Sequence, residues 1–268
     1  MLRLGAVDVW ESVEGIRRLS PVVHNITNYV VMNTTANALL AIGASPVMAH
    51  ALEEIDEMVN IASVLVINIG TLSRDWIKAM FKAAEKANAR SIPIILDPVG
   101  AGATSLRTET AREFIKAFRP SVIRGNASEI MSVLENRGKT KGVDSTEASH
   151  NAVSAGRGIN EAYGSVVCIS GETDYIIDAD QIIKIKNGHQ MMTRVTGMGC
   201  SATALCGAFA AVNENYAQAT AHAMAVMGIA GEIAAQGASG PGTLQVRFFD
   251  ALFNLSLEDI GKRLKVEC

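Results

Sequence analysis

Aromatic residues make up only 5% of this 268-residue chain, and its four cysteines and five histidines are too scattered to form a metal-ligand set. Cys168, Cys200, Cys206 and Cys268 contain no C-x-x-C pair, which argues against both a disulfide framework and a zinc site. No two histidines stand i,i+4 on one helical face. Charge of one sign is also missing. The 24 basic and 27 acidic residues leave a net −3, which offers nothing for nucleic acid or an anionic membrane to recognise. No apolar run is both long and unbroken enough to span a bilayer; residues 195–213 come closest, interrupted by glycines, threonines and a serine. Asp8, Glu11 and Glu14 interrupt the N-terminal apolar positions, so that stretch does not read as a signal peptide, and a cytoplasmic location is expected. Linkers, low-complexity tracts and internal repeats are missing too, which predicts a single domain over 1–268.

What is present suits a layered α/β fold. Hydrophobic residues make up 49% of the chain, and alanine, glycine, isoleucine and valine favour close packing of helices on a sheet. Val9, Trp10, Val13, Ile16 and Leu19 recur at helical spacing, and Pro21 ends that segment. A short strand from Val22 then runs into polar amides. A small-residue helix is predicted over Thr34–Ile42 with Gly43 as C-cap, a strand at Ser45–Met48, and a helix over Leu52–Ile61. From there apolar strands at 63–67, 92–96, 122–123 and 165–169 alternate with helices at 74–88, 108–118, 127–134 and 146–163. That alternation predicts a mostly parallel sheet covered on both faces. Residues 174–187 read as a β-hairpin turning at Asp178-Ala179-Asp180. The tail reads as helices over 201–213, 216–235 and 247–260, with a Gly240-Pro241-Gly242-Thr243 turn.

Each parallel strand ends in a polar, glycine-containing cluster. Ligands of open α/β sheets lie beyond the carboxyl ends of the strands, so Asn68, Asp97, Arg124, Asn126 and Ser170 are expected on one rim. Asp97 has the charge to hold magnesium directly or through water. Glu129 could add a second acid, or simply favour the dipole of its helix. Arg124 carries a forked donor suited to phosphate, the alternative being a surface salt bridge.

The stretch Val195-Thr196-Gly197-Met198-Gly199-Cys200 precedes a run of small helix formers. Its glycines permit a tight or left-handed turn. A helix beginning at Gly199 or Cys200 would aim free N–H groups at an anion, making Gly197, Met198, Gly199 and Cys200 a candidate anion hole. A helix N-terminus can also lower the pKa of a thiol such as Cys200. The plainer reading is that two glycines cap a buried helix carrying a small hydrophobic cysteine. With Asp97 and Arg124, the set fits phosphoryl transfer, where positioning and charge dominate. No G-x-x-x-x-G-K-[ST] loop or protein-kinase signature occurs, which excludes those two nucleotide folds.

Six ordered blocks resemble the hydroxyethylthiazole kinase family of the ribokinase-like superfamily: Val23-His24-Asn25-Ile26-Thr27-Asn28, Leu40 to Met48, Asn68-Ile69-Gly70-Thr71-Leu72, Asp97 to Ala103, Ile123 to Ile130, and Thr196 to Cys200. The resemblance covers almost the whole chain. It implies ATP- and Mg2+-dependent phosphorylation of the hydroxyl of 5-(2-hydroxyethyl)-4-methylthiazole in thiamin salvage, by a homotrimer with thiazole sites between subunits. By motif matching, Asn25, Met48 and Gly197 correspond to thiazole-binding positions. Arg124, Ser170 and Asn126 correspond to ATP-side positions, and Asp97 and Glu129 to the magnesium side. Ser170 keeps the hydroxyl of a common threonine. Cys200 occupies the place of the superfamily's catalytic aspartate and is expected to assist rather than be indispensable. Met198 departs from the small residue or threonine usual there and is expected to be tolerated, because backbone N–H groups would hold the anion. Cys168 and Cys206 read as core residues.

Two rival readings remain. One is a kinase of the same superfamily acting on the pyrimidine half of thiamin, disfavoured by the motifs around Asn25 and Met48. The other is a non-catalytic nucleotide or thiazole sensor, disfavoured because Asp97, Arg124 and Cys200 occur together.

Overall fold

The computed structural model describes residues 2–134, 145–179 and 181–268, with the backbone alone described over 145–150. The apolar runs become six parallel strands: β1 (Val22–Ile26), β2 (Ser45–Val47), β3 (Val64–Asn68), β4 (Ile94–Asp97), β5 (Val122–Asn126) and β6 (Val166–Ser170). Three antiparallel strands extend the sheet: β7 (Asp174–Asp178), β8 (Gln181–Ile185) and β9 (Val266–Glu267). The order across the sheet is β2-β1-β3-β4-β5-β6-β7-β8-β9. The expected hairpin is β7–β8, with Ala179 at φ 48° in its turn; Asp180 lies outside the described residues.

Side chains alternate between the two faces of the sheet, as the strand period requires. Val23, Val64, Val66 and Val122 pack under α1 (Ala6–Leu19), α2 (Met32–Ile42), α8 (Met198–Ala210), α9 (Tyr216–Ala235) and α10 (Pro241–Asn254). Leu65, Ile67, Leu96 and Ile123 pack on the other face, under α3 (Ile55–Ile61), α4 (Arg74–Ala89), α5 (Ser105–Phe118), α6 (Ala127–Val133) and α7 (Ser145–Tyr163). Leu65 and Ile67 are fully buried, each such side chain stabilising the fold by about 1.5–3 kcal/mol. The doubly covered, mostly parallel sheet agrees with the sequence reading.

Some element boundaries differ from expectation, and capping explains most of them. Helix α5 starts at Ser105 rather than Thr108, because the Thr104 hydroxyl accepts from Arg107 N–H at 3.3 Å. The expected Gly240-Pro241-Gly242-Thr243 turn is instead the start of α10, with Pro241 in the first helical turn, where its missing N–H costs nothing. The last predicted helix is two, because Ser256 caps α11 (Leu257–Arg263) by accepting from Asp259 N–H at 3.2 Å. Neither β9 nor a 3-10 turn at Gln190–Arg194 was signalled by sequence pattern.

Helix α8 positions the site. It is buried on nearly every side, between β1, β3 and β4 below and α2 and α9 above. A Cβ on Gly207 would lie 2.7 Å from Val66 Cγ2, so the glycine is what lets α8 rest directly on β3. The N-terminus of α8 therefore sits over the carboxyl ends of the central strands.

Candidate active site

Asn68 and Asp97 end adjacent strands as register partners, as do Asn126 and Ser170. Helix α8 begins at Met198, slightly earlier than expected, with Gly197 as its left-handed N-cap at φ 84°. The first intrahelical bond of the helix runs from Ser201 N–H to Gly197 O at 2.8 Å, so the N–H groups of Met198, Gly199 and Cys200 precede the helical ladder and are available to an anion. Arg124 ties the rim to this turn: its Nη1 donates to Gly199 O at 2.9 Å. Burial of Arg124 works against its charge, and Asp97 holds that charge in place.

Beneath the turn lies a buried polar network. Asp97 Oδ2 accepts from Asn68 Nδ2 at 2.9 Å and from the Thr203 hydroxyl at 2.8 Å. Burial pushes the Asp97 carboxyl up to about 6, against the opposing pull of Arg124. Asn28 Nδ2 donates to Asn68 Oδ1 at 2.9 Å and to Cys200 Sγ at 3.5 Å. At Cys200 the effect of the helix N-terminus is outweighed. Burial, and then the nearby Asp97 charge, push its thiol up to about 11, outweighing any help from the helix N-terminus.

The acids and amides on the β5 side serve local structure first. Asn126 Oδ1 accepts from Glu129 N–H at 3.0 Å, and Glu129 Oε2 accepts from Asn126 N–H at 2.8 Å, a reciprocal cap of α6. Glu129 Oε1 accepts from Gly100 N–H at 2.9 Å. Glu129 thus caps its helix as well as standing near its dipole's positive end, and the Asn126 side chain faces its own helix, with no place in the pocket wall. Among the described residues no group of three or more His, Cys, Asp or Glu could by itself hold a metal.

A pocket of about 900 Å³ opens beside the turn. Arg124, Ser170, Gly197, Met198 and Gly199 line it, joined by Asp174 and Lys186. Ser170 Oγ donates to Gly125 O at 3.3 Å. Asn25 and Met48 are not in its wall. Asn25 is buried in β1, its Nδ2 donating to Val23 O at 2.8 Å and its Oδ1 without a partner among the described residues. Met48 follows β2, one residue beyond Val47, the register partner of His24. His24 Nε2 meets Ala49 O at 2.8 Å and fixes the segment after Met48. The expected residues therefore fall on two sides of the α8 N-terminus, with Cys200 between them.

A model of the hydroxyethylthiazole kinase family matches residues 13–258. The chain belongs to that family. A hydroxyethylthiazole kinase of Syntrophus aciditrophicus is 62% identical over 97% of this chain and 96% of its own. The structure of a hydroxyethylthiazole kinase protein from Pyrococcus horikoshii superposes with a TM-score of 0.89 at 42% identity, covering 97% of this chain and 98% of that one. A ribokinase-like superfamily protein from Enterococcus faecalis shares the fold alone, with a TM-score of 0.67 at 14% identity, covering 90% of this chain and 87% of that one. The architecture of this hydroxyethylthiazole kinase family member is thus ribokinase-like.

Sequence reasoning missed three residues of the family member's site. Thr203 stands one helical turn after Gly199 and bonds to Asp97; that i,i+4 spacing was the signal available. Asn28 lay in a recognised motif but had no assigned partner. Asp174 starts β7 and accepts from Gly171 N–H at 3.0 Å, and burial pushes its carboxyl up to about 6. The Met198 side chain, an expected departure from the small residue usual there, is buried in the apolar cluster around α8.

Proposed function

We propose that this protein transfers the terminal phosphoryl group of ATP to the hydroxyl of 5-(2-hydroxyethyl)-4-methylthiazole in a Mg2+-dependent step of thiamin salvage, in the cytoplasm. The observation that carries this reading is the left-handed turn at Gly197, which points the start of α8 into the junction between an Arg124-lined pocket and the Asn28–Cys200 side. The pocket is large enough for a nucleotide. Arg124 and Ser170 would meet its phosphates, with Asn126 at the adjoining strand end, and the N–H groups of Met198, Gly199 and Cys200 would hold the transferring group. Asn25, Met48 and Gly197 would seat the thiazole.

Asp97 and Glu129 fit a magnesium ion completed by water and phosphate oxygens, since Mg2+ commonly takes only one or two protein carboxylates. Both carboxylates already accept N–H or O–H donors, which favours contact through water. When bound, the ion would neutralise charge building on the phosphates. A thiol with its pKa pushed up to about 11 stays protonated near neutral pH. Cys200 therefore assists by orienting the acceptor hydroxyl, while the α8 N-terminus stabilises charge. The assembly is a homotrimer with thiazole sites shared between neighbouring subunits.

Mass spectrometry of hydroxyethylthiazole incubated with purified protein, ATP and Mg2+ tests the reading. The expected product is heavier by one phosphoryl group and does not form without the metal. ATP-dependent binding of the thiazole without product would indicate a sensor. Neither product nor binding would point to the pyrimidine alcohol as acceptor.

A further inference from the structure

Asn28 and Asn68 have no role in the proposed reaction, yet their geometry is fully determined. Asn68 Oδ1 accepts from Asn28 Nδ2 at 2.9 Å and from Gly70 N–H at 3.0 Å, while its Nδ2 donates to Asp97 Oδ2 at 2.9 Å. Two donors at one end and a carboxylate at the other leave this amide one orientation. Asn28 is fixed in the same way. Its Oδ1 accepts from Val30 N–H at 3.1 Å, which turns Nδ2 toward Asn68 and the Cys200 sulfur. Asn28, Asn68, Asp97 and Thr203 are all buried, so a break in the chain would strand desolvated polar groups. Gly70 makes room for it, since a Cβ there would lie 2.7 Å from Asn28 Nδ2.

We propose that Asn28 and Asn68 are positioning residues: Asn28 orients the Cys200 side chain through an N–H donated to its sulfur, and Asn68 holds Asn28 in register with Asp97. With Asn28 donating into the sulfur, the thiol's own hydrogen is directed away from the network, toward the rim where an acceptor hydroxyl would lie. The consequence for turnover rests on the phosphoryl-transfer reading above; the contact itself does not.

A double-mutant cycle between Asn28→Ala and Cys200→Ala, with hydroxyethylthiazole, ATP and Mg2+, tests the coupling. Asn28→Ala alone is expected to lower kcat by up to about a hundredfold, with the KM for ATP unchanged. In the Cys200→Ala background the same substitution should cost less than about twofold, because its effect runs through the sulfur. An equal cost in both backgrounds would overturn the proposal.

A second readout needs no turnover. In a Cys268→Ser background, which removes the exposed cysteine and leaves Cys168 and Cys206 buried, the rate of iodoacetamide alkylation against pH reports Cys200. The charged groups acting on that thiol are Asp97 and Arg124, and both remain in the variants. Removing the Asn28 donor should move the alkylation midpoint to higher pH, and Asn68→Ala, which removes both its own amide beside the sulfur and its hold on Asn28, should move it the same way. An unchanged midpoint in folded Asn28→Ala defeats the assignment. Should that variant fail to fold, Asn28→Leu keeps similar bulk with neither a donor nor a new charge, and the same midpoint decides. A parent protein that turns over no thiazole would remove the functional reading and leave the alkylation result to judge the contact.

Discussion

At the scale of single residues, burial overrides the dipole. Cys200 stands in the first turn of α8, where a helix N-terminus favours a thiolate, yet desolvation and the Asp97 charge leave it a thiol at neutral pH. Cys200→Ala is therefore expected to retain slowed but measurable turnover, with kcat reduced by less than about a hundredfold. The parent's kcat should show no thiol break between about pH 7 and 9, where an unperturbed cysteine would titrate. Complete loss of turnover with normal substrate binding would give Cys200 an indispensable role. Asp174 supplies a second test. Its folded carboxyl is raised from 3.8 to about 6, chiefly by burial. The folded chain thus binds this proton more tightly than the unfolded chain, and the stability so gained is full below about pH 4 and lost as pH rises through about 6. Asp174→Asn keeps an acceptor for Gly171 N–H and removes the titration. Its thermal midpoint should fall less than the parent's between those pH values; parallel curves would show that Asp174 contributes nothing.

At the scale of elements, glycine positions separate packing from propensity. A Cβ on Gly228 in α9 would lie 2.5 Å from the Asn187 carbonyl carbon and oxygen. That backbone cannot yield easily, because the Asn187 side chain is tied to Glu232, to Arg263 O and to Lys265 N–H. Gly228→Ala is expected to destabilise the protein by about 1–3 kcal/mol through overpacking, read as a lower denaturant midpoint. Gly242, near the start of α10, has nothing among the described residues within 4 Å of an added Cβ. Gly242→Ala should raise the midpoint, by up to about 1 kcal/mol, through helix propensity alone. Equal effects from the two substitutions would contradict this account.

At the scale of the whole molecule, the strands from β2 to β9 form one sheet among the described residues, and we propose that 1–268 is one domain. One cooperative unfolding transition is the expected calorimetric result, and two resolved transitions would argue against it. Tyr29 and Val30, directly after the Asn28 that touches Cys200, are each 64% exposed, as a site completed by a neighbouring subunit would require. Light scattering should find three chains per particle, and Val30→Glu should lower both that mass and the turnover. A fully active monomer would end the shared-site reading.

The sequence by itself determined the layered fold and most of the rim. Alternating apolar strands and amphipathic helices leave few topologies, and Asn68, Asp97 and Ser170 end their strands, with Arg124 two residues before the end of β5, where a parallel sheet gathers its ligand groups. The capping box of Asn126 and Glu129 was also legible in its N-x-x-E spacing, where the sequence reading weighed only the helix dipole against a metal role. Tertiary structure decided the rest. Only the packing of α8 on β3 brings Thr203 to Asp97 and Asn28 to Cys200, joining residues 106 and 172 positions apart. Only the folded surroundings set the Cys200 thiol, because a pKa depends on the solvent and charges that the folded chain removes or supplies, and local sequence encodes neither.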